Sequence, residues 1–155
     1  EIRKKEEGNV YDDDGALVTS GSILAQKIQQ LLIFFKLIIP DMTPEEVQYV
    51  DDALLKTYGN FGITHKNKSL LDPNDKKKYR KMPILSDVYS ELEKMGAPAN
   101  RLCRLLTRYT TGSASSFNAQ TNVNLNNKFV VLDVSDAQKD FLPVAMFLAL
   151  DYVWA

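Results

Sequence analysis

Lys128-Phe129-Val130-Val131-Leu132-Asp133-Val134 is the stretch on which the interpretation of the whole chain depends. It is a short, continuous apolar run that ends in an acidic residue, the pattern of a strand buried on both faces of an α/β sheet. Such a strand is not stable alone, because it needs neighbouring strands and covering helices. Since the rest of the sequence is mostly helical in pattern, we expect the 155 residues to be part of a larger domain.

The segments on either side of this run fit a strand that is followed by a helix. Residues 117–125 alternate enough to form an irregular strand or hairpin arm, and Asn126-Asn127 would turn it into the central strand. Pro143 fits only the first turn of a helix, and apolar residues then surround that helix on every side. The sequence ends inside this pattern without a cap, so we expect an excised segment.

Composition excludes several classes of protein. With 45% hydrophobic and 25% charged residues, the chain has the composition of one globular domain, and its net charge of −1 does not favour a nucleic-acid or anionic membrane surface over the whole molecule. Cys103 and His65 are the only cysteine and histidine, so neither an internal disulfide nor a Cys/His metal cluster can form. We therefore expect a reducing, cytoplasmic setting.

The first helix is predicted from about Ser22 to Pro40. Polar residues interrupt its apolar stretch, so it falls short of a membrane span, and the charged N-terminus is unlike a signal peptide. Ile33, Phe34 and Leu37 make its second half apolar nearly all round. This half either is enclosed by other elements or forms a surface that binds a protein partner.

Three more helices follow. Thr43-Pro44-Glu45-Glu46 is a capping box that begins the second helix, and Gly59 is predicted to end it. Pro83 and Pro98 each introduce a further helix, and Gly96 separates the two. The connection is short, so these helices should form an antiparallel or sharply angled pair.

Two groups of basic residues are candidates for binding anions. Arg101, Arg104 and Arg108 form one stripe on the fourth helix, which either clamps phosphate or carboxylate groups or is a hydrated face. The run from Lys76 to Lys81, with Tyr79 inside it, fits either a solvated loop or a nucleic-acid contact. His65 lies in the same loop and has no recognisable catalytic partner.

The sequence contains neither nucleotide-binding motif of the P-loop ATPases. A Walker A loop requires a Gly-Lys pair, and none is present. Val130-Val131-Leu132-Asp133 resembles a Walker B strand, but Val134 stands where a catalytic acid would follow. We therefore predict no catalytic, cofactor-binding or metal-binding residue in this chain.

The order of several sequence blocks resembles the motor ATPases of conjugation and type IV secretion, the VirB/TraC/TraE-like proteins that are often carried on conjugative transposons. The blocks are Phe34-Phe35, Met42-Thr43-Pro44-Glu45-Glu46, Pro83-Ile84-Leu85-Ser86-Asp87, Phe117 with Thr121-Asn122-Val123, and Phe129-Val130-Val131-Leu132-Asp133-Val134-Ser135. The resemblance implies a RecA-like ATPase domain with a largely helical insertion. This chain would be the part between Walker A and Walker B.

The expected fold class is therefore α+β: a mostly helical subdomain of about five helices with a short strand or hairpin near the C-terminal end. Residues 1–155 would form one domain, with a polar lead-in at 1–21, a helical insertion at 22–112 and a strand and helix returning to the sheet at 117–155. The resemblance implies that the parent protein binds ATP and magnesium, whereas this part would not hydrolyse ATP alone.

The resemblance also implies partners: the rest of the parent ATPase domain, and other secretion subunits or further copies of the protein. The parent could lie peripherally at the inner face of the cell membrane. One alternative is a stand-alone helical adaptor that binds a protein through Ile33, Phe34 and Leu37. Another is a nucleic-acid-binding module that uses Lys76 to Lys81 with Arg101, Arg104 and Arg108, for which affinity would fall steeply with salt.

Overall fold

A computed structural model describes residues 10–11, 17–18, 22–120, 139 and 141–154 of the chain. Two short strands and five α-helices occur in these residues. They are β1 (Val10–Tyr11), β2 (Leu17–Val18), α1 (Ile23–Ile38), α2 (Pro44–Asn60), α3 (Leu85–Lys94), α4 (Asn100–Thr110) and α5 (Leu142–Trp154). Three short 3₁₀ turns, Asn67–Leu70, Ala97–Ala99 and Ser115–Phe117, lie between the helices. The prediction of a mostly helical chain with about five helices is confirmed.

The strands of the structure lie near the N-terminus, within the segment predicted to be a polar lead-in. β1 and β2 pair antiparallel, with Val10 opposite Val18 and Tyr11 opposite Leu17. The strand predicted at residues 128–134 and the hairpin arm at 117–125 fall largely outside the described residues, which stop at 120 and resume at 139. That part of the α+β prediction stays a prediction.

Helix α1 begins where the sequence predicts and is held at its start by the loop after α2. The Ser22 hydroxyl accepts a hydrogen bond from the Ala25 amide at 3.2 Å. The same hydroxyl lies 2.7 Å from His65 Nδ1, and the Asn67 side chain accepts from the Ile23 amide at 3.2 Å. The loop at 65–67 therefore satisfies polar groups that a helix N-terminus leaves open.

Helix α2 has the predicted capping box. Thr43 Oγ1 accepts from the Glu46 amide at 3.2 Å, and the Glu46 carboxylate accepts from the Thr43 amide at 2.9 Å. The prediction that Gly59 stops this helix is wrong, because the helix continues to Asn60. Gly62 has the positive φ of 75° instead, so the reversal comes three residues later.

Helices α3 and α4 form the predicted pair, and Gly96 between them has a φ of 73°. The side chain of Asn118 ties their far ends together. Its Oδ1 accepts from the Ser86 amide at 2.8 Å, while its Nδ2 donates to Ser86 Oγ at 2.5 Å and to the Thr110 carbonyl at 3.1 Å. One side chain thus bonds the first turn of α3 and the last turn of α4.

One hydrophobic core joins all five helices. Leu92, Leu102 and Leu106, on α3 and α4, have no exposed surface, and Val50 on α2 has none either. Phe35 of α1 is 1% exposed, and α5 reaches this core through Val144. Among the residues that the structure describes, no helix combines the length and the apolar character needed to cross a bilayer.

Candidate functional site

The three arginines predicted to form one stripe on α4 lie in three different environments. Arg101 contacts two carboxylates that lie outside its own helix. Its Nη1 donates to both Glu46 oxygens, at 2.8 and 2.7 Å, and its Nη2 donates to Asp41 at 2.5 Å. This guanidinium therefore links α4 to the start of α2, and its charge is already matched by two acids.

Glu46 is the centre of this contact, because it caps α2 and pairs with α4 at the same time. Its side chain is only 10% exposed. The hydrogen bond from the Thr43 amide and the bond from Arg101 lower the pKa of Glu46, and these carboxylates in turn raise the pKa of Arg101. The carboxylate thus works as a structural joint, in agreement with the predicted capping role.

Arg108 belongs to an aromatic cluster. Its guanidinium carbon lies 4.5 Å from the centre of the Phe141 ring, within the range of a cation–π interaction. Phe141 also packs against Tyr109 and Phe117, with ring centres 6.1 and 6.0 Å apart. Arg108 therefore helps to join the end of α4 to the start of α5.

Arg104 is exposed, as Arg108 also is. Arg104 lines a polar cleft of about 510 Å³ between α3 and α4. Cys103 lines the same cleft, and burial, with a smaller effect of Glu93, raises the pKa of its thiol. A protonated thiol is a poor nucleophile, so this cleft has no activated cysteine. The three arginines do not converge on one clamp, because Arg101 pairs with Glu46 and Asp41 while Arg108 lies against the Phe141 ring.

The predicted apolar surface of α1 is only partly exposed. Ile33 and Leu37 are 52% and 38% exposed, whereas Phe34 is 6% exposed. The Phe34 ring packs 5.7 Å from Phe35 and 6.4 Å from Phe147 of α5. The inclusion of Phe34 in an accessible interaction surface is therefore wrong, because α5 covers this side of α1.

Helix α5 carries a second apolar surface that the sequence alone did not identify. Leu142, Met146 and Leu150 lie four residues apart on one face and are 37%, 51% and 56% exposed. We call these three residues the α5 face. The helix is apolar all round, so the sequence could not distinguish the side that packs on α1 from the side that stays open.

The described residues show no arrangement suited to catalysis. They contain no group of three or more His, Cys, Asp and Glu side chains that could hold a metal ion. An apolar cleft of about 160 Å³ between α1, α2, α3 and α5 has Tyr58 as its single ionisable lining residue. His65 is exposed and faces Ser22, which caps a helix. The apolar cleft pairs no nucleophile with a base, and in the polar cleft Glu93 lies near Cys103 but helps to keep the thiol protonated.

Comparison with known proteins identifies the group to which this chain is related. No family model and no curated protein matches the sequence. The solved structure of VirB4 of Thermoanaerobacter pseudethanolicus does match, with 31% sequence identity and a TM-score of 0.76 over 88% of this chain. The chain is VirB4-like. This confirms the resemblance to the type IV secretion ATPases that the sequence blocks indicated.

The VirB4-like chain spans 52% of the length of that VirB4. The likeness therefore concerns one part of a longer protein. It covers most of the described helices, and the sequence blocks that first suggested it include the Thr43 capping box and the start of α3.

Proposed function

We propose that this chain is a helical coupling subdomain of a type IV secretion ATPase, and that its parent protein powers DNA or protein transfer by ATP hydrolysis. In this proposal the chain is not catalytic on its own. The observation that carries it is the 31% identity to VirB4 across 88% of this chain, together with the coverage of about half of that protein.

The sequence supports a non-catalytic role. A phosphate loop needs glycines followed by lysine, and none of the seven glycines here is followed by lysine. The chain therefore lacks the Walker A loop that would hold the phosphates of a nucleoside triphosphate. Asp133, whose flanking sequence resembles Walker B, lies outside the described residues. ATP and magnesium would be held by other parts of the parent.

The exposed apolar residues support a role in contact with other parts of the assembly. The α5 face, with Ile33 and Leu37 of α1, leaves five large apolar side chains more than a third exposed. Contiguous exposed apolar surface in a soluble protein generally marks an interface. We assign the rest of the parent ATPase domain as the partner of the α5 face, and a neighbouring subunit or secretion component as the partner of Ile33 and Leu37.

The connection between α2 and α4 supports transmission of movement. The Glu46–Arg101 pair and the shared core keep α2, α3 and α4 together. A unit of this kind moves as a rigid body when one of its faces is displaced. Closure of the parent around ATP would thus be passed on as a movement of the three helices. The setting would be the cytoplasmic side of the membrane.

The first test compares ATP hydrolysis by the 155-residue chain and by the full-length parent protein. We expect turnover from the parent and none from the chain. Met146→Gln with Leu150→Gln, introduced into the parent, should reduce turnover or secretion at least about tenfold, because polar groups would then face an apolar interface. Leu55→Gln with Leu105→Gln is the matched control, since these residues are 37% and 41% exposed on α2 and α4.

A second candidate is the adaptor that binds a protein partner without any motor. The exposed Ile33 and Leu37 side chains are the observation that favours it. If the full-length protein neither binds nor hydrolyses ATP, the coupling proposal fails and the adaptor is the better description. Equal losses from the α5 variant and from its control would remove the α5 face from the proposal.

A further inference from the structure

We propose that the loop between α2 and α3 is a binding site for single-stranded nucleic acid, in which lysines contact phosphates and Tyr79 stacks on a base. The segment concerned is residues 71–81, which we call the lysine hairpin. It includes the basic run from Lys76 to Lys81 and takes no part in the coupling role proposed above.

The lysine hairpin has a defined backbone. Leu71 and Tyr79 form an antiparallel bridge, the Asp72 amide donates to the Lys78 carbonyl at 2.9 Å, and the Arg80 amide donates to the Leu70 carbonyl at 2.8 Å. Within the turn, Asp72 Oδ1 accepts from the Asn74 amide at 2.7 Å and Asp75 Oδ1 accepts from the Lys77 amide at 3.1 Å. Both aspartates therefore serve the turn itself.

Arg80 anchors the hairpin to the body of the protein and is not part of the binding surface. Its Nε donates to the Ser69 carbonyl at 2.8 Å. Its guanidinium lies against Gly62, where an added Cβ would be 2.9 Å from Nη1. The absence of a side chain at Gly62 thus provides the space in which Arg80 lies.

The remaining cations of the hairpin point to solvent. Lys76, Lys77 and Lys81 are exposed and make no ion pair with the part of the chain that the structure describes. Lys78 lies 3.6 Å from Asp75, a distance that water and salt screen strongly at an exposed site. Three lysines are therefore free to contact an anion.

Tyr79 lies among these lysines and is 72% exposed. No other large hydrophobic residue of the described part is as exposed as this one. A surface aromatic ring that takes no part in the core is available for stacking. The lysines would bind any polyanion. The Tyr79 ring favours single-stranded nucleic acid among them, because an unpaired base offers a π-face for stacking and a carboxylate does not.

The distribution of charge favours the same ligand. Residues 66–81 contain seven lysines and arginines but two aspartates, although the whole chain has a net charge of −1. The positive charge is therefore concentrated on one loop, and the rest of the chain is negative. The loop therefore attracts a phosphate backbone, and the negatively charged remainder of the chain repels it.

The test is fluorescence anisotropy of a labelled oligothymidine of about 20 nucleotides, titrated with the 155-residue chain at about 50 to 200 mM salt. We expect affinity to fall steeply with salt. Replacing Lys76, Lys77 and Lys81 with glutamine should weaken binding at least about tenfold and make the slope of log K against log salt shallower by about 2. Tyr79→Leu should weaken binding about 5- to 100-fold and leave that slope unchanged.

A control variant with the same change of charge and a duplex of the same length decide the interpretation. Lys36, Lys56 and Lys139 are exposed lysines outside the hairpin, so replacing them with glutamine changes the net charge equally. Retained binding by this control variant supports the proposal, and equal loss overturns it. The proposal also fails if oligothymidine does not bind at about 50 mM salt, if a duplex of the same length binds more tightly, or if Tyr79→Leu has no effect. Circular dichroism verifies that each variant is folded, and no ATP is needed.

Discussion

The helices α2, α3 and α4 satisfy one another's side chains, whereas α1 and α5 cover each other along one side only. In the first group the buried acids have partners: Glu46 pairs with Arg101, and Glu91 accepts from Asn60 at 2.9 Å and from Lys94. The pair α1 and α5 has Phe34 against Phe147 on its inner side and an exposed α5 face outside. We call α2, α3 and α4 the complete unit, because its buried charges are paired within the unit, whereas the outer side of α5 stays exposed.

Within the complete unit, the largest expected effect on stability comes from Leu106→Ala, and its neighbour Leu105 provides the control. Leu106 has no exposed surface, whereas Leu105 is 41% exposed on the same helix. Leu106→Ala should lower the free energy of unfolding by about 2 to 5 kcal/mol, because it leaves a cavity in the core. Leu105→Ala should change it by about 0.5 kcal/mol or less. Urea unfolding measures both, and equal losses would contradict the packing of α4 described above.

The Glu46 joint should have a smaller effect that depends on pH. The pKa of Glu46 is lowered in the folded chain, so its contribution to stability is complete at pH values well above about 4.3, the ordinary value for a glutamate, and decreases as the pH falls below that value. Glu46→Gln keeps a capping side chain but loses the charge opposite Arg101. We expect a loss of about 1 kcal/mol at pH 7.

The sign of this effect can be tested by repeating urea unfolding at about pH 3. The wild-type chain should lose stability between pH 7 and pH 3, and the difference from Glu46→Gln should become small. Some acid sensitivity should remain in the variant, because Lys94 and Asn60 also lower the pKa of Glu91. A difference that is unchanged at pH 3 would mean that the charge of Glu46 does not stabilise the fold.

Substitutions on the α5 face should have the smallest effect on the stability of the chain. Met146→Gln and Leu150→Gln should each change the free energy of unfolding by about 0.5 kcal/mol or less, because both side chains are more than half exposed. Val144→Ala is the control on the same helix and should cost clearly more, since Val144 is 2% exposed. A large loss from Met146→Gln would show that α5 is packed on both sides, and the contrast between the two regions would disappear.

Local signals in the sequence predicted the helices of the complete unit well. The Thr43 capping box and Gly96 depend on short-range chemistry, and both are found in the structure. Two glycines lie near the end of α2, and Gly62 rather than Gly59 makes the reversal: it has the positive φ, its amide donates to the Gly59 carbonyl, and the Ile63 amide donates to the Tyr58 carbonyl.

The candidate site was predicted less well, because it depends on which helices meet. The spacing of Arg101, Arg104 and Arg108 placed them on one stripe, but their partners Asp41, Glu46 and Phe141 are distant in sequence. A sequence pattern does not contain these contacts. The same limit applies to Phe34, which α5 covers, and to the α5 face.

The hydrogen bonds of the Asn118 side chain have a mechanical consequence for the pair of helices α3 and α4. It uses its acceptor and its donors on both helices at once, at the open end of the pair, while Gly96 closes the other end. The pair of helices α3 and α4 is therefore joined at both ends, so neither helix can slide along the other without breaking hydrogen bonds. A displacement of the chain at residue 118 would therefore act on both helices at once, and α3 in turn contacts α2.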